Sequence, residues 1–182
     1  MGIISLIIVL RVVLWVVLIL GSIFLFFAAY SIYTNLTTGV PWAKVPRANV
    51  YRIFKELGLP ADSLVYDLGA GDGRVLFAAE SFGWRAVGFE LSLYPYVKAC
   101  LKKIFCRSRI VIKRRDFFKE NLSQADAVFI FLAGKTIARV GEKLKLELKK
   151  GALIISYGFA LPGRQIEKII STKPSLTYVY KT

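Results

Sequence analysis

Three glycines stand at alternate positions in one short stretch of the chain, at Gly69, Gly71 and Gly73. Glycines in a turn leave main-chain N–H groups accessible, because no Cβ blocks the approach of a ligand. An apolar segment precedes the turn and a helical pattern follows it, and the amino end of a helix favours an anionic group. Asp67 ends the apolar segment and Asp72 lies within the turn. The stretch therefore predicts a ligand-binding turn that carries carboxylates.

The spacing of the glycines argues against two phosphate-binding motifs. A dinucleotide-binding motif needs G-x-G-x-x-G, and the sixth position counted from Gly69 is Arg74. The motif G-x-x-x-x-G-K-[ST] does not occur in the sequence. A carboxylate at Asp67 suits a ligand that carries an ammonium or a sulfonium group, which a pyrophosphate does not. S-adenosylmethionine has both groups and a carboxylate for the helix end, and it is the cofactor that we expect.

Two further acidic residues follow the next two predicted strands. Glu90 comes about 20 residues after the glycines, where a carboxylate can accept hydrogen bonds from both hydroxyls of a ribose. Asp116 is followed by Phe117, and this pair suits an adenine held between an apolar side chain and a hydrogen-bonding carboxylate. Together with the turn, these acids predict a nucleoside site at the ends of three successive strands.

Alternating strand and helix patterns after residue 46 supply the elements that position these residues. The strand segments are short and nearly continuously apolar, as expected where helices cover both faces of a parallel sheet. Ligands bind such a sheet at the carboxyl ends of the strands, beside the point where the strand order reverses. The predicted strands are residues 63–68, 85–90, 109–114, 126–132, 152–159 and 176–181. The predicted helices are residues 47–58, 73–83, 94–105 and 135–151, the last capped by Gly151.

The amino-terminal segment has a different composition. Arg11 is the only formally charged side chain before residue 34, and residues 12–33 form an uncharged run of 22 residues. A helix of that length reaches roughly 33 Å, enough to cross a hydrocarbon core of about 30 Å. A cleaved signal peptide is the alternative, but the run is too long and lacks a small-x-small cleavage site. We expect a single retained transmembrane anchor over residues 1–33, a linker over 34–46 and a catalytic domain over 47–182.

The net charge of +14 lies almost wholly after this anchor. Four cations follow the anchor within about 22 residues, so the positive-inside rule places the domain on the cytoplasmic side of a cell membrane or an organelle inner membrane. No nucleic-acid-binding motif is present, and we expect the basic surface to face anionic lipid headgroups rather than nucleic acid. The chain has no histidine, and Cys100 and Cys106 alone do not make a metal site. We therefore expect no metal.

Residues Asp67–Arg74 resemble the first motif of the seven-strand, Rossmann-like S-adenosylmethionine-dependent methyltransferases. The resemblance implies an α/β fold with a doubly wound, mostly parallel sheet. It also implies a set of cofactor-binding residues, which are Asp67, Gly69, Ala70, Gly71, Asp72, Gly73, Glu90, Leu91, Asp116 and Phe117. The usual seventh strand is missing from the predicted elements unless an irregular one lies near residues 165–173.

More narrowly, the chain resembles the small membrane-anchored protein-lysine methyltransferases whose mitochondrial members modify the ATP synthase c subunit and the adenine nucleotide translocase. The matching features include the apolar anchor, Val45-Pro46, and the segments DLGAGDGR, GFELS and RRDFFKENLSQADAVFIF. This chain has Arg47 where that family usually has threonine, and Ser92 where it usually has asparagine. The resemblance implies transfer of a methyl group to a lysine of a protein, and the anchor favours a membrane protein as substrate.

The substrate and the catalytic residues stay open at the level of sequence. A lipid or quinone headgroup is the alternative acceptor, and an inactive cofactor-binding scaffold is a third interpretation. The motif [DNS]-P-P-[YF] is absent after the fourth strand, which argues against amino-methylation of DNA bases. No catalytic residue is assigned. The aromatic residues that flank predicted strand ends are candidates for a lysine slot, namely Trp42, Tyr94, Tyr157 and Phe159.

Overall fold

The computed structural model describes residues 2–38 and 44–182, which form two compact units. The first unit is a single helix, α1 (Gly2–Thr38). Its segment Ser5–Tyr30 has a mean hydropathy of 2.9 and contains no fully buried residue, so it is long and apolar enough to cross a membrane. The helix continues five residues beyond the predicted end at Tyr33, because no glycine or proline interrupts the chain between Gly21 and Gly39. Residues 39–43 of the predicted linker lie outside the described residues.

The second unit is built on a seven-stranded sheet with the order β3-β2-β1-β4-β5-β7-β6. The five parallel strands are β1 (Leu64–Leu68), β2 (Arg85–Phe89), β3 (Val111–Lys113), β4 (Ala127–Ile130) and β5 (Leu153–Tyr157). Strand β7 (Ser175–Lys181) is antiparallel to both β5 and β6 (Lys168–Thr172). The strand order reverses between β1 and β4, so the carboxyl ends of these strands border the crevice in which this fold binds ligands. The predicted doubly wound, mostly parallel α/β sheet is confirmed.

Strand β6 is the seventh strand that the sequence patterns left undecided. It lies within the range 165–173 and pairs with β7 through a tight hairpin in which Thr172 is opposite Ser175. Only Ile170 and Thr172 of its five residues are buried. An edge strand with so few buried positions lacks the continuous apolar pattern of the inner strands, which is why the pattern alone did not establish it.

In the second unit, three helices and one helical turn connect the strands, and a fourth helix precedes β1. They are α2 (Arg47–Leu57), α3 (Arg74–Ser81), α4 (Leu93–Phe105), the 3-10 turn Phe117–Lys119 and α5 (Gly134–Glu147). Helix α5 ends four residues before Gly151, so the prediction that Gly151 caps it was wrong. Leu148 is buried but already extended, and Gly151 instead lies in the turn before β5, where its N–H donates to the carbonyl of Thr182 at 2.7 Å.

A core of aromatic and aliphatic side chains fixes α2 and α3 against the sheet. The ring of Phe54 lies 5.0 Å from that of Trp84 and 6.3 Å from that of Phe129, both in edge-to-face geometry. Gly88 of β2 faces Ala70 of the glycine turn and Leu76 of α3. A Cβ built on it would lie 2.6 Å from the Cβ of Ala70 and 2.6 Å from Cδ1 of Leu76. Strand β2 can therefore approach the turn and α3 only with glycine at this position.

We predict that Gly88→Ala destabilises the protein by about 1–3 kcal/mol, because the added methyl group would overpack the core between β2 and α3. The matched control is Gly141→Ala in α5, where the nearest atom to a Cβ is the flexible Cδ2 of Leu161 at 3.2 Å. Urea unfolding measures both changes. Equal stabilities of the two variants would contradict the close approach at Gly88.

Candidate functional site

The glycine turn between β1 and α3 is held against the end of β2 by main-chain hydrogen bonds. The N–H groups of Gly69 and Ala70 both donate to the carbonyl of Phe89 at 2.9 Å. Gly69 has a φ of +92°, and a Cβ there would meet no atom within 4 Å. The backbone at Gly69 thus faces open space in a conformation that favours glycine. The N–H groups of Gly69 and Ala70 are already bonded to Phe89, so the accessible N–H groups expected from the sequence are not found at these two residues, and contact of the turn with a ligand stays a prediction.

Glu90 is buried and connects two loops through its carboxylate. Its Oε2 accepts a hydrogen bond from the N–H of Gly71 at 2.9 Å, and its Oε1 accepts one from the N–H of Ser92 at 2.7 Å. A carboxylate can accept about four hydrogen bonds, so two remain for a ligand. Contact with ribose hydroxyls stays a prediction for Glu90, and the two main-chain contacts are a role that the sequence did not reveal.

Asp67 is buried on β1, and no described residue donates a hydrogen bond to its carboxylate. Burial, together with the nearby carboxylates of Glu90 and Asp72, raises the pKa of Asp67 from 3.8 to about 8. Folding therefore takes up a proton between these two pH values, and the stability of the free protein falls as the pH rises through that range. A cationic ligand beside Asp67 would offset the repulsion by favouring the ionised form.

Asp72 has a different environment from Asp67. Both of its oxygens accept hydrogen bonds at 2.8 Å from Arg74, one from Nε and one from Nη2. These bonds lower the pKa of the Asp72 carboxyl. Nη1 of Arg74 also donates to the carbonyl of Val45 at 2.7 Å, so the pair ties the turn to the chain that precedes α2. Cofactor contact by Asp72 stays a prediction, and residue type alone did not reveal the roles of Arg74 and Val45.

Asp116 and Phe117 follow β3, the strand beside β2. Oδ1 of Asp116 accepts a hydrogen bond from the N–H of Phe118 at 2.9 Å and so caps the helical turn that begins at Phe117. Both Asp116 and Phe117 are half-buried, and the side chain of Leu91 is exposed. The pair lies after the third strand of the series β1, β2, β3, as predicted, and its contact with adenine stays a prediction.

An aromatic cluster lies at the carboxyl ends of β4 and β5. The ring of Phe131 contacts Tyr157 edge to face at 5.1 Å and stacks on Phe159 at 6.2 Å. Nδ2 of Asn49 donates to the hydroxyl of Tyr157 at 3.0 Å. Tyr157 and Phe159 are thus brought together, whereas Tyr94 lies in the first turn of α4. Sequence patterns missed Phe131 and Asn49, since a phenylalanine after a strand and an asparagine in a helix carry no specific signal.

The remaining candidate of the proposed lysine slot, Trp42, lies outside the described residues. Within residues 2–38 and 44–182, no group of three or more histidine, cysteine or acidic side chains lies close enough to hold a metal ion.

The donor set at this crevice fits S-adenosylmethionine. Asp67 offers a buried, unpartnered carboxylate to a cationic group, and Gly69 offers backbone without a Cβ. Glu90 has hydrogen-bonding capacity left for hydroxyl groups. A family model for the ANTKMT methyltransferase domain matches residues 67–168, which include all of these residues. The chain belongs to this methyltransferase family. S-adenosylmethionine is the cofactor of this methyltransferase, and the predicted membership and enzyme class are confirmed.

Three relatives with curated functions are similar to this methyltransferase. It is 31% identical over 138 residues to a protein-lysine N-methyltransferase of Saccharolobus islandicus, and the match covers 74% of this chain and 86% of that protein. It is 32% identical over 117 residues to the adenine nucleotide translocase lysine N-methyltransferase of Mus musculus, covering 63% and 51% of the two chains. It is 29% identical over 145 residues to the ATP synthase c-subunit lysine N-methyltransferase of Homo sapiens, covering 74% and 61%. The match thus spans half to three-fifths of the length of the two mammalian relatives.

Solved structures support the fold. An RNA methyltransferase from Salinibacter ruber in complex with S-adenosyl-L-homocysteine superposes with a TM-score of 0.72 at 22% identity, covering 76% of this chain and 93% of that chain. A ribosomal protein L11 methylase from Lactobacillus delbrueckii superposes with a TM-score of 0.65 at 14% identity, covering 79% and 83%. At such identities the likeness establishes the methyltransferase fold and leaves the substrate open.

We predict that cofactor affinity rises with pH up to about 8. Below this pH the Asp67 carboxyl of the free protein is protonated, and a cationic cofactor favours its ionised form, so binding releases a proton. Affinity therefore increases as the pH approaches the pKa of Asp67 and becomes constant above it. Titration calorimetry at several pH values measures this dependence. Asp67→Asn should bind more weakly and without this pH dependence, and a constant affinity in the unchanged protein would exclude the contact.

Proposed function

We propose that this methyltransferase is a membrane-anchored enzyme that transfers a methyl group from S-adenosylmethionine to a lysine side chain of a membrane protein. The observation that carries the proposal is the aromatic cluster of Phe131, Tyr157 and Phe159 at the end of the sheet that borders the cofactor turn. A slot lined by such rings suits the long apolar stem of a lysine. The three relatives named as lysine N-methyltransferases support the same acceptor.

The bound cofactor supplies a methyl group that its sulfonium has already activated. The protein has to hold a neutral amine in line with that group, and deprotonating an ordinary lysine at pH 7 costs about 4.6 kcal/mol. Aromatic walls lower this cost because they exclude water from the ammonium form. The hydroxyl of Tyr157 accepts a hydrogen bond from Asn49, which fixes the orientation of the ring beside Phe131.

The membrane part of the proposal rests on α1. Most of the side chains in the segment Ser5–Tyr30 are exposed, and such a helix is stable when lipid surrounds it. The basic residues from Lys44 onward favour a cytoplasmic position for the catalytic domain, at a cell membrane or an organelle inner membrane. A tether of this kind raises the effective concentration of substrates in the same bilayer. A cleaved signal sequence is the competing interpretation of α1.

The function is tested by incubating the full-length enzyme with membranes and S-adenosylmethionine labelled in its methyl group. We expect label in a protein band and, after acid hydrolysis, in methylated lysine. Label in the organic extract alone would favour a lipid or quinone headgroup, and cofactor binding without any transfer would favour a scaffold. Glu90→Ala serves as the control with a weakened cofactor site. The intact mass of the protein recovered from membranes decides between an anchor, which retains residues 1–33, and a cleaved signal.

We predict that Phe159→Ala lowers kcat/KM for the protein substrate about tenfold, which corresponds to about 1.4 kcal/mol of lost transition-state stabilisation. Cofactor affinity should not change, because Phe159 lies at the end of β5 rather than in the glycine turn. The matched control is Ile166→Ala, since Ile166 and Phe159 are similarly exposed, at 39% and 42%. Equal activities of the two variants would remove Phe159 from the slot.

A further inference from the structure

Helix α4 has an apolar face that is exposed in the described part of the chain. Five of its large apolar side chains are at least 43% exposed, and they are Tyr94, Val97, Leu101, Ile104 and Phe105. Helix α5 is of similar length and has one such side chain, Leu146. At 3.6 residues per turn the five side chains of α4 fall within an arc of about 100°, so they form one continuous stripe.

The opposite side of α4 already packs on the domain. Pro95 and Ala99 are buried there, and Nζ of Lys102 lies 3.7 Å from the centre of the Phe77 ring. The exposed stripe is therefore not needed to hold α4 on the sheet. Exposed apolar stripes of this size on a folded domain indicate a surface that meets another apolar medium or a partner.

The charges around the stripe identify the partner. Residues 91–115 contain eight lysines and arginines and no acidic residue, although the whole chain has 12 acidic residues. Lys113 and Arg115 pair with Glu120. In the described part of the chain, Lys98, Lys103 and Arg107 form no ion pair, and these three belong to α4 or follow it directly. A short helix with an apolar stripe and basic residues near it is typical of a segment that lies in the surface of an anionic bilayer, and Lys98 borders the stripe directly.

We propose that the stripe of α4 inserts into the surface of a bilayer that contains anionic lipids and so holds the cofactor crevice beside the membrane. The proposal rests on the membrane-anchored function above, and it assigns the contact to one helix. Ser92 precedes α4 and its N–H donates to Oε1 of Glu90, so the amino end of α4 is bonded directly to the cofactor site. A domain docked through α4 would therefore reach lysines close to the bilayer surface.

Spin labels on the full-length protein in vesicles test this contact. Cys100 and Cys106 are first replaced by alanine, and cofactor binding checks that this background is folded. A label is then placed at Leu101→Cys on the stripe or, as the matched control, at Leu146→Cys on α5. Collisions with oxygen report exposure to lipid, and collisions with a water-soluble nickel chelate report exposure to water.

In vesicles of phosphatidylcholine and phosphatidylglycerol, we expect the label at Leu101→Cys to collide more with oxygen than with nickel, and the label at Leu146→Cys to show the reverse. In phosphatidylcholine alone, the preference at Leu101→Cys should decrease. Equal access of nickel to both labels would overturn the proposal. Protection of the Leu101→Cys label from both oxygen and nickel would indicate a protein partner. Protection from nickel that appears only when RNA is added would indicate nucleic acid. Either result would overturn the proposal.

This measurement is independent of methyl transfer. If the labels show insertion but no lysine is methylated, the docking surface stands and the proposed acceptor fails. If lysine is methylated and both labels stay in water, the acceptor stands and docking through α4 fails.

Discussion

Two loops of the candidate cofactor site depend on one buried carboxylate, that of Glu90. Its two oxygens accept hydrogen bonds from the N–H groups of Gly71 and Ser92, which belong to the loops after β1 and β2. Hydrogen bonds to a charged acceptor contribute about 1.5–3 kcal/mol each, and both loops are held by them before any ligand arrives. The residue predicted to bind ribose is thus also the residue that sets the shape of the crevice.

The three acidic residues near the turn differ in how their carboxylates are stabilised, because their hydrogen-bond partners differ. Asp72 is paired with Arg74, and the carboxylate of Glu90 accepts hydrogen bonds from two main-chain N–H groups. Asp67 has neither kind of partner, and its pKa is raised to about 8 by burial and by the other two carboxylates. The ionised form of the Asp67 carboxyl is therefore costly in the free protein. A cationic ligand removes that cost, so the site favours a sulfonium or ammonium compound over a neutral nucleoside.

The elements predicted well from the sequence are those that have a regular apolar pattern and whose ends are marked by glycines. Strand β1, the glycine turn and α3 meet this condition, and their glycines mark the site directly. Strand β6 did not, because only two of its five residues are buried. Residues such as Asn49 and Arg74 could not be assigned from sequence, since their roles come from partners 108 and 29 positions away in the chain. Pattern analysis finds local periodicity, and these contacts are made only when the sheet has formed.

Two hydrogen bonds join the crevice to the chain before α2 and to α4, and both bear on how a membrane would act on it. Arg74 binds the carbonyl of Val45, which lies where the chain enters the catalytic unit, and Ser92 joins the crevice to α4. Both bonds end on groups that fix the glycine turn, through Asp72 in one case and Glu90 in the other. A restraint on the chain before α2 or on α4 can therefore reach the turn through these hydrogen bonds, in addition to the packing of α4 on α3. Since a carboxylate is at the centre of each link, a substitution of Asp72 or Glu90 would loosen both the glycine turn and the segment bonded to it.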